Sequence, residues 1–163
     1  MATEVRVGTG YDVHRLVKGR PLYIGGVRIE HDLGLDGHSD ADVLLHAIMD
    51  AILGAAGLPD IGHYFPPTDE RYRGASSLKL LDTVRSIVAE AGWQVVNVDS
   101  TVVAEQPRLS PYLAAMKATI GKALGVGERQ VGIKATTNEG LGFVGRGEGI
   151  VAMAVALLAP REE

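Results

Sequence analysis

The chain has no cysteine among its 163 residues, which excludes disulfides and thiolate ligands and leaves His, Asp and Glu to hold any metal. Nor has it a run near the ~20 apolar residues that a membrane-spanning helix needs, so no membrane span is expected. It lacks clusters of Lys and Arg and carries a formal net charge of −4, so nucleic acid is not an expected partner. Met1-Ala2-Thr3-Glu4-Val5-Arg6 offers neither the basic segment nor the apolar stretch of a secretory signal, and cytoplasmic function is the expectation. Internal repeats, low-complexity tracts and linkers are also missing. What remains is an ordinary globular composition, 46% hydrophobic and 22% charged, expected to form one domain over residues 1–163. A chain of this length buries about two thirds of the surface its unfolded form exposes.

Strand and helix patterns alternate along the chain. Val5 and Val7 open a strand that continues through Tyr11 to His14, and Leu22-Tyr23-Ile24 and Val27-Arg28-Ile29 flank a Gly25-Gly26 hairpin signal. A helix opened by Ser39 runs to about Ala56 and stops at Gly57, with Pro59 beyond. Ser76 opens a second helix that ends at Gly92, and Val95 to Ala104 reads as a long strand. Ser110-Pro111 gives a cap and a first-turn proline to a third helix, which carries Leu113, Met116, Ile120 and Leu124 and closes at Gly125. Val131-Gly132-Ile133 and the apolar stretch Ile150 to Leu158 are the last strands. This order predicts an α+β fold, one sheet with helices packed on one face.

Side chains alternate faces along a strand, so Asp12 and His14 project together and offer a carboxylate and an imidazole. On the first helix, with Asp42 at its third position as a capping partner, Asp42, His46 and Asp50 fall within about a quarter of the circumference. That stripe lies away from Leu45, Ile48 and Ile52, although Leu53 intrudes on it. Two imidazoles and a carboxylate on rigid elements suit a three-ligand zinc site with its fourth position open. The same pattern also suits a structural, hydrogen-bonded histidine, and spacing does not choose between the two.

Gly140 to Gly149 holds five glycines in ten residues, which fits a loop whose amides cradle phosphate and equally a tight hairpin between two strands. Ahead of it, Thr136, Thr137 and Asn138 bring hydroxyls and an amide to a strand end. Glu139 beside them implies Mg²⁺ if a diphosphate binds there, because carboxylate and phosphate otherwise repel; the alternative is an ordinary turn residue. Ser39 and the free amides of its helix terminus suit a phosphate, or Ser39 is a plain N-cap.

Asp12-Val13-His14, Gly37-His38-Ser39-Asp40-Ala41-Asp42 with His46, Asp60-Ile61-Gly62, Phe65-Pro66-Pro67-Thr68-Asp69, Lys134-Ala135-Thr136-Thr137-Asn138-Glu139 and Gly142-Phe143-Val144-Gly145-Arg146-Gly147-Glu148-Gly149 stand in one consistent order. Over about residues 5 to 158 they resemble the 2-C-methyl-D-erythritol 2,4-cyclodiphosphate synthase family of the non-mevalonate isoprenoid pathway. The resemblance implies a ferredoxin-like protomer in a homotrimer with active sites between subunits. It implies a lyase that cyclises 4-diphosphocytidyl-2-C-methyl-D-erythritol 2-phosphate with loss of CMP.

By the same resemblance, Asp12, His14 and His46 hold zinc or another divalent metal at the substrate, and His38 and Ser39 contact the erythritol phosphates. Thr136, Thr137 and Glu139 meet the cytidine diphosphate, with Glu139 reaching Mg²⁺ or Mn²⁺. Ala104 and Pro107-Arg108-Leu109 enclose the cytosine, Asp60, Ile61 and Gly62 the methylerythritol, and Phe65 and Asp69 complete the substrate contacts. His38 and Thr137 are the implied transition-state stabilisers. Pro67 departs from the pattern, since some members have Asp there, and the polar contacts of that loop are not carried over.

In a cyclic trimer a residue near the axis appears three times, so Phe143 and Arg146 are expected to line an axial cavity that binds an isoprenoid diphosphate. The alternative is that Glu148, two residues on, pairs with Arg146. A zinc hydrolase of nucleotide-like substrates and a trimeric isoprenoid-binding scaffold are the competing functions; products formed from the cytidylyl substrate distinguish them.

Overall fold

The computed structural model describes residues 4–162. A five-stranded sheet is built from β1 (Arg6–Lys18), β4 (Leu33–Leu35), β5 (Trp93–Val103), β6 (Val131–Thr136) and β7 (Gly149–Pro160), in the order β4-β1-β7-β5-β6. Only β5 and β6 run parallel; the other neighbours are antiparallel. β2 (Leu22–Ile24) and β3 (Val27–Ile29) form the expected hairpin, with Gly25 and Gly26 at φ 63° and 75°. The long helices are α1 (Val43–Ala55), α3 (Ser77–Glu90) and α4 (Leu113–Leu124), and single helical turns form α2 (Ile61–Tyr64) and α5 (Gly142–Gly145).

The α+β expectation holds, and α1 is the element that makes the core. Val43, Leu44, Leu45, Ala47, Ile48, Met49, Ala51, Ile52 and Leu53 are all fully buried, so the helix is apolar except for the stripe of His46 and Asp50, as a central helix with one functional face must be. It lies directly on β1. A Cβ at Gly10 would stand 1.9 Å from the Ala47 carbonyl oxygen, and one at Gly8 would stand 2.1 Å from that of Ala51. Only glycine allows this approach, and Gly8, Gly10, Asp12 and His14 share the β1 face that meets α1. The opposite face is open: Val7, Tyr11, Val13, Met153 and Val155 are 41–66% exposed.

Several local expectations are corrected. α1 begins at Val43 rather than Ser39, because Ala41 turns the chain into the left-handed region at φ 57° and Asp42 is the N-cap, accepting from Leu45 N. Asp42 therefore caps the helix rather than continuing the polar stripe of His46 and Asp50. It is fully buried and accepts the amides of Gly25 and Gly26 at 2.9 and 2.7 Å, clamping the hairpin to the start of α1. Ser110-Pro111 lies in a 3₁₀ turn, Ser110–Tyr112, that leads into α4. The glycine cluster is the turn α5 rather than a hairpin, for β6 and β7 are not neighbours; β5 lies between them. β4 and α2 are elements that the sequence pattern did not announce.

Candidate metal centre and substrate residues

Asp12 and His14 on β1 and His46 on α1 converge. Asp12 Oδ2 lies 2.8 Å from His14 Nε2 and 3.1 Å from His46 Nδ1, and the two imidazole nitrogens are 3.1 Å apart. Two ligands of a tetrahedral zinc ion stand about 3.3 Å apart, so this spacing fits a small divalent cation with little rearrangement. Among the described residues this is the one such group of three or more His, Asp or Glu.

The outer nitrogens explain the orientation of the rings. His14 Nδ1 donates to the Asp36 carbonyl at 2.7 Å, which turns Nε2 inward. Nε2 and Asp12 Oδ2 then share a proton when no metal is bound. Burial alone would raise the Asp12 carboxyl, but hydrogen bonds and charge from His14 and His46 outweigh it and hold the group at about 2. Burial likewise opposes a charged His14, but its bonds to Asp12 and to the Asp36 carbonyl, with the charges of Asp12 and Asp42, raise it above 6.5. A cation that replaced this proton would find a carboxylate and two oriented imidazoles. The donor set therefore fits a divalent metal.

His46 Nε2 points the other way, to Ser77 Oγ at 3.0 Å and Ser39 Oγ at 3.2 Å. Ser77 is fully buried at the start of α3 and donates its hydroxyl to Asp40 Oδ1, while its amide donates to Asp40 Oδ2 at 3.0 Å. Neither Ser77 nor Asp40 was singled out from sequence, because a serine behind Ser76 at a helix start reads as a cap. Ser76 in fact makes no side-chain cap bond.

His38 and Ser39 lie on the loop that leads from β4 to α1. Arg20 holds this loop through the carbonyls of Gly37 and Ser39 at 3.0 and 2.9 Å. His38 Nε2 donates to the Asp69 carbonyl at 2.8 Å, so Nδ1 is the nitrogen left for a ligand. The Asp69 carboxylate is engaged by Arg71 at 2.6 Å. Ser39 is buried, with its hydroxyl turned to His46 and to the Ala41 amide, and the Ala41, Asp42 and Leu45 amides are taken by the side chains of Ser39, Asp40 and Asp42 rather than left free for phosphate. Asp60 caps α2, whose first amide, from Ile61, donates to Asp50 on α1 at 2.9 Å; Gly62 follows within the turn. Phe65 packs edge-on against Tyr72 just beyond.

The remaining expected residues gather at the far edge of the sheet. Val13 pairs with Val151, Val151 with Val103, and Val103 with Thr136. Thr136 is thus level with the metal group but three strand spacings away, about 14 Å. The Ala104 amide donates to the Thr136 carbonyl at 2.9 Å, and Leu109 is buried, while Arg108 is exposed beside Ser110. Pro107 follows a cis peptide. Thr136, Thr137 and Glu139 are exposed, and Glu139 sits at φ 53°, uncommon for a non-glycine residue. Glu105, which the sequence did not reveal, stabilises that bend by accepting the Asn138 and Gly140 amides at 2.8 and 3.2 Å.

On the open face of the sheet, α5 seats Val144 against Val103 and Val151. Phe143 is 41% exposed there, and Arg146 pairs with Glu148 at 2.9 Å, as the alternative reading anticipated. Arg146 also lines a groove of about 640 Å³ with Lys18, His31 and Glu105.

Comparison with known proteins agrees with this picture. The YgbB family model matches residues 5–159. The 2-C-methyl-D-erythritol 2,4-cyclodiphosphate synthase of Synechococcus elongatus is 63% identical over 153 residues, covering 94% of this chain and 96% of its own. The solved IspF of Plasmodium falciparum, a CDP complex, superposes with a TM-score of 0.84 at 32% identity over 99% of this chain and all of that one. The bifunctional IspDF of Campylobacter jejuni gives a TM-score of 0.95 at 42% identity over 99% of this chain, which spans 44% of that longer protein.

Proposed function

The chain belongs to the YgbB family, and from that premise we propose how its residues carry out cyclodiphosphate synthesis. Its activity is that of the 2-C-methyl-D-erythritol 2,4-cyclodiphosphate synthases, lyases of isoprenoid biosynthesis. The substrate is the cytidylyl compound 4-diphosphocytidyl-2-C-methyl-D-erythritol 2-phosphate. Its 2-phosphate oxygen attacks the β-phosphorus, the bond from that phosphorus to the bridging oxygen breaks, and CMP departs with the electron pair. The observation that carries this reading is the convergence of Asp12, His14 and His46, with each imidazole oriented by an outer hydrogen bond.

Asp12, His14 and His46 would hold zinc, and Glu139 would hold Mg²⁺ or Mn²⁺ for the diphosphate. When bound, these cations neutralise the anions that must approach one another, with no need to generate hydroxide. The chain's own task is alignment. His38 commits Nε2 to the Asp69 carbonyl and so keeps Nδ1 for the phosphates. Thr137 Oγ accepts the Glu139 amide at 3.2 Å, which leaves its proton for a phosphate oxygen. With Ser39 and Thr136 these residues fix the phosphates. Asp60, Ile61, Gly62, Phe65 and Asp69 border the methylerythritol, and Ala104, Pro107, Arg108 and Leu109 the cytosine; the CDP-bound Plasmodium falciparum relative supports a cytidine site.

The whole chain acts as one ferredoxin-like unit in a cytoplasmic homotrimer. Supporting the trimer, the apolar outer face lacks a cover, and the metal group and the Thr136–Glu139 loop stand far apart in one protomer, so a neighbour can complete each site. Phe143 and Arg146 then approach the axis, where an isoprenoid diphosphate binds by displacing Glu148 from Arg146. Calorimetry with farnesyl diphosphate should show binding that Arg146→Ala removes.

The deciding experiment is incubation with the cytidylyl substrate and Mg²⁺. One cyclic diphosphate per CMP is the expected result. An acyclic diphosphate would instead identify a zinc hydrolase acting through bound water.

A further inference from the structure

We propose that Asp40, acting through the Ser77 hydroxyl, positions His46 and sets the affinity of the metal centre. The inference rests on the reading of Asp12, His14 and His46 as metal ligands. His46 binds through Nδ1, so Nε2 must carry the proton and needs an acceptor. Ser77 Oγ is 3.0 Å from it, and Ser39 Oγ 3.2 Å.

A hydroxyl beside an imidazole nitrogen is ambiguous, since it can donate or accept. Asp40 removes the ambiguity. Its carboxylate has no proton to give and receives three donors: the Ser77 hydroxyl, the Ser77 amide at 3.0 Å and the Asp42 amide at 3.1 Å. The Ser77 proton is thereby drawn to Asp40, its oxygen lone pair faces His46, and the proton on His46 is held at Nε2. The chain of bonds is polarised away from the metal and leaves the Nδ1 lone pair facing the space between His14 Nε2 and Asp12 Oδ2, each 3.1 Å distant, where a cation would sit. Ser77 is fully buried and His46 nearly so, and within this enclosure a reversed hydroxyl would put a proton where the cation belongs.

Ser77 and Asp40 lie 37 residues apart, so the pair also joins the start of α3 to the loop that carries His38 and Ser39. The hydroxyl is the test point, because Ser77→Ala removes the nearer acceptor from His46, leaving only Ser39 Oγ at 3.2 Å, while the Ser77–Asp40 amide contact needs no side chain.

Zinc affinity is measured by chelator competition on the intact wild-type protein, Ser77→Ala, Asp40→Asn, the double variant and His46→Ala, together with the denaturant stability of each zinc-free form. Loss of an outer partner weakens metal binding about 10- to 100-fold. That loss is expected for Ser77→Ala with zinc-free stability close to wild type. Asp40→Asn should also weaken zinc, and the double variant should lose no more than the weaker-binding single variant, because the two residues act in series. Wild-type affinity in both single variants, or additive losses in the double, would overturn the positioning role. Weakened zinc binding in His46→Ala beside intact binding in Ser77→Ala would sink this inference alone. Full zinc retention in His46→Ala would overturn the metal reading and the inference with it.

Discussion

Asp12 and His14 hold opposite charges against each other until a cation takes the place of the proton between them. In the metal-free protein Asp12 titrates near 2, against 3.8 for an ordinary carboxyl, so its contribution is complete above pH 3.8 and is lost as pH falls through about 2. The difference corresponds to about 2 kcal/mol. His14, raised above 6.5, contributes below that pH, and its share is lost as pH rises through the raised value. Denaturant unfolding of chelator-treated protein between pH 5 and 2 should therefore show Asp12→Asn with a shallower loss of stability than wild type; equal slopes would mean that the carboxylate is unpaired. Thr137 supplies a hydroxyl rather than a charge, and Thr137→Ala should lower kcat by about 10²-fold, as loss of an oriented donor does. An unchanged kcat would remove it from the catalytic group.

The elements explain why some of this was readable and some was not. Asp12 and His14 were legible because strand alternation places them on one face whatever the tertiary fold, and His46 because α1 is long and strongly patterned. The partners of His46 were not, since Ser77 comes from the start of α3 and Asp40 from an irregular loop, and no local rule connects them. The helix start was misplaced because Ser39, Asp40 and Asp42 all suit a cap; the left-handed turn at Ala41 decides for Asp42. The glycine cluster was ambiguous because freedom at φ fits a hairpin and a helical turn equally. Gly10 carries the element-scale consequence. A methyl group there would meet the Ala47 carbonyl at 1.9 Å and push α1 off β1, while metal ligation tolerates shifts of only about 0.2 Å. Gly10→Ala should cost about 3 kcal/mol or more in denaturant unfolding and release zinc even from the folded fraction. Wild-type zinc affinity in folded Gly10→Ala protein would show that helix–strand contact does not set the site.

For the whole molecule, the two faces of the sheet demand different environments. One is sealed by α1, α3 and α4, and the other presents Val7 at 66%, Tyr11 at 57% and Met153 and Val155 at 45% exposure along the central strands β1 and β7. Contiguous apolar surface of this kind marks an interface, and α5 places Phe143 and Arg146 on the same side. In a cyclic trimer this face turns inward and each sheet edge meets a neighbour, which would bring one subunit's Thr136–Glu139 loop to another's metal group. A charge at Val155, which pairs with Thr9, then acts at a distance from the metal group. Val155→Glu should leave each protomer's core intact, because the side chain points away from α1, yet it places three carboxylates against one another on the inner surface of the trimer. Sedimentation at assay concentration should show wild type as a trimer and Val155→Glu dissociated, with turnover lost and the circular-dichroism spectrum retained. An active wild-type monomer would overturn both the assembly and the shared site. A Val155→Glu trimer of full activity would move the interface to another face.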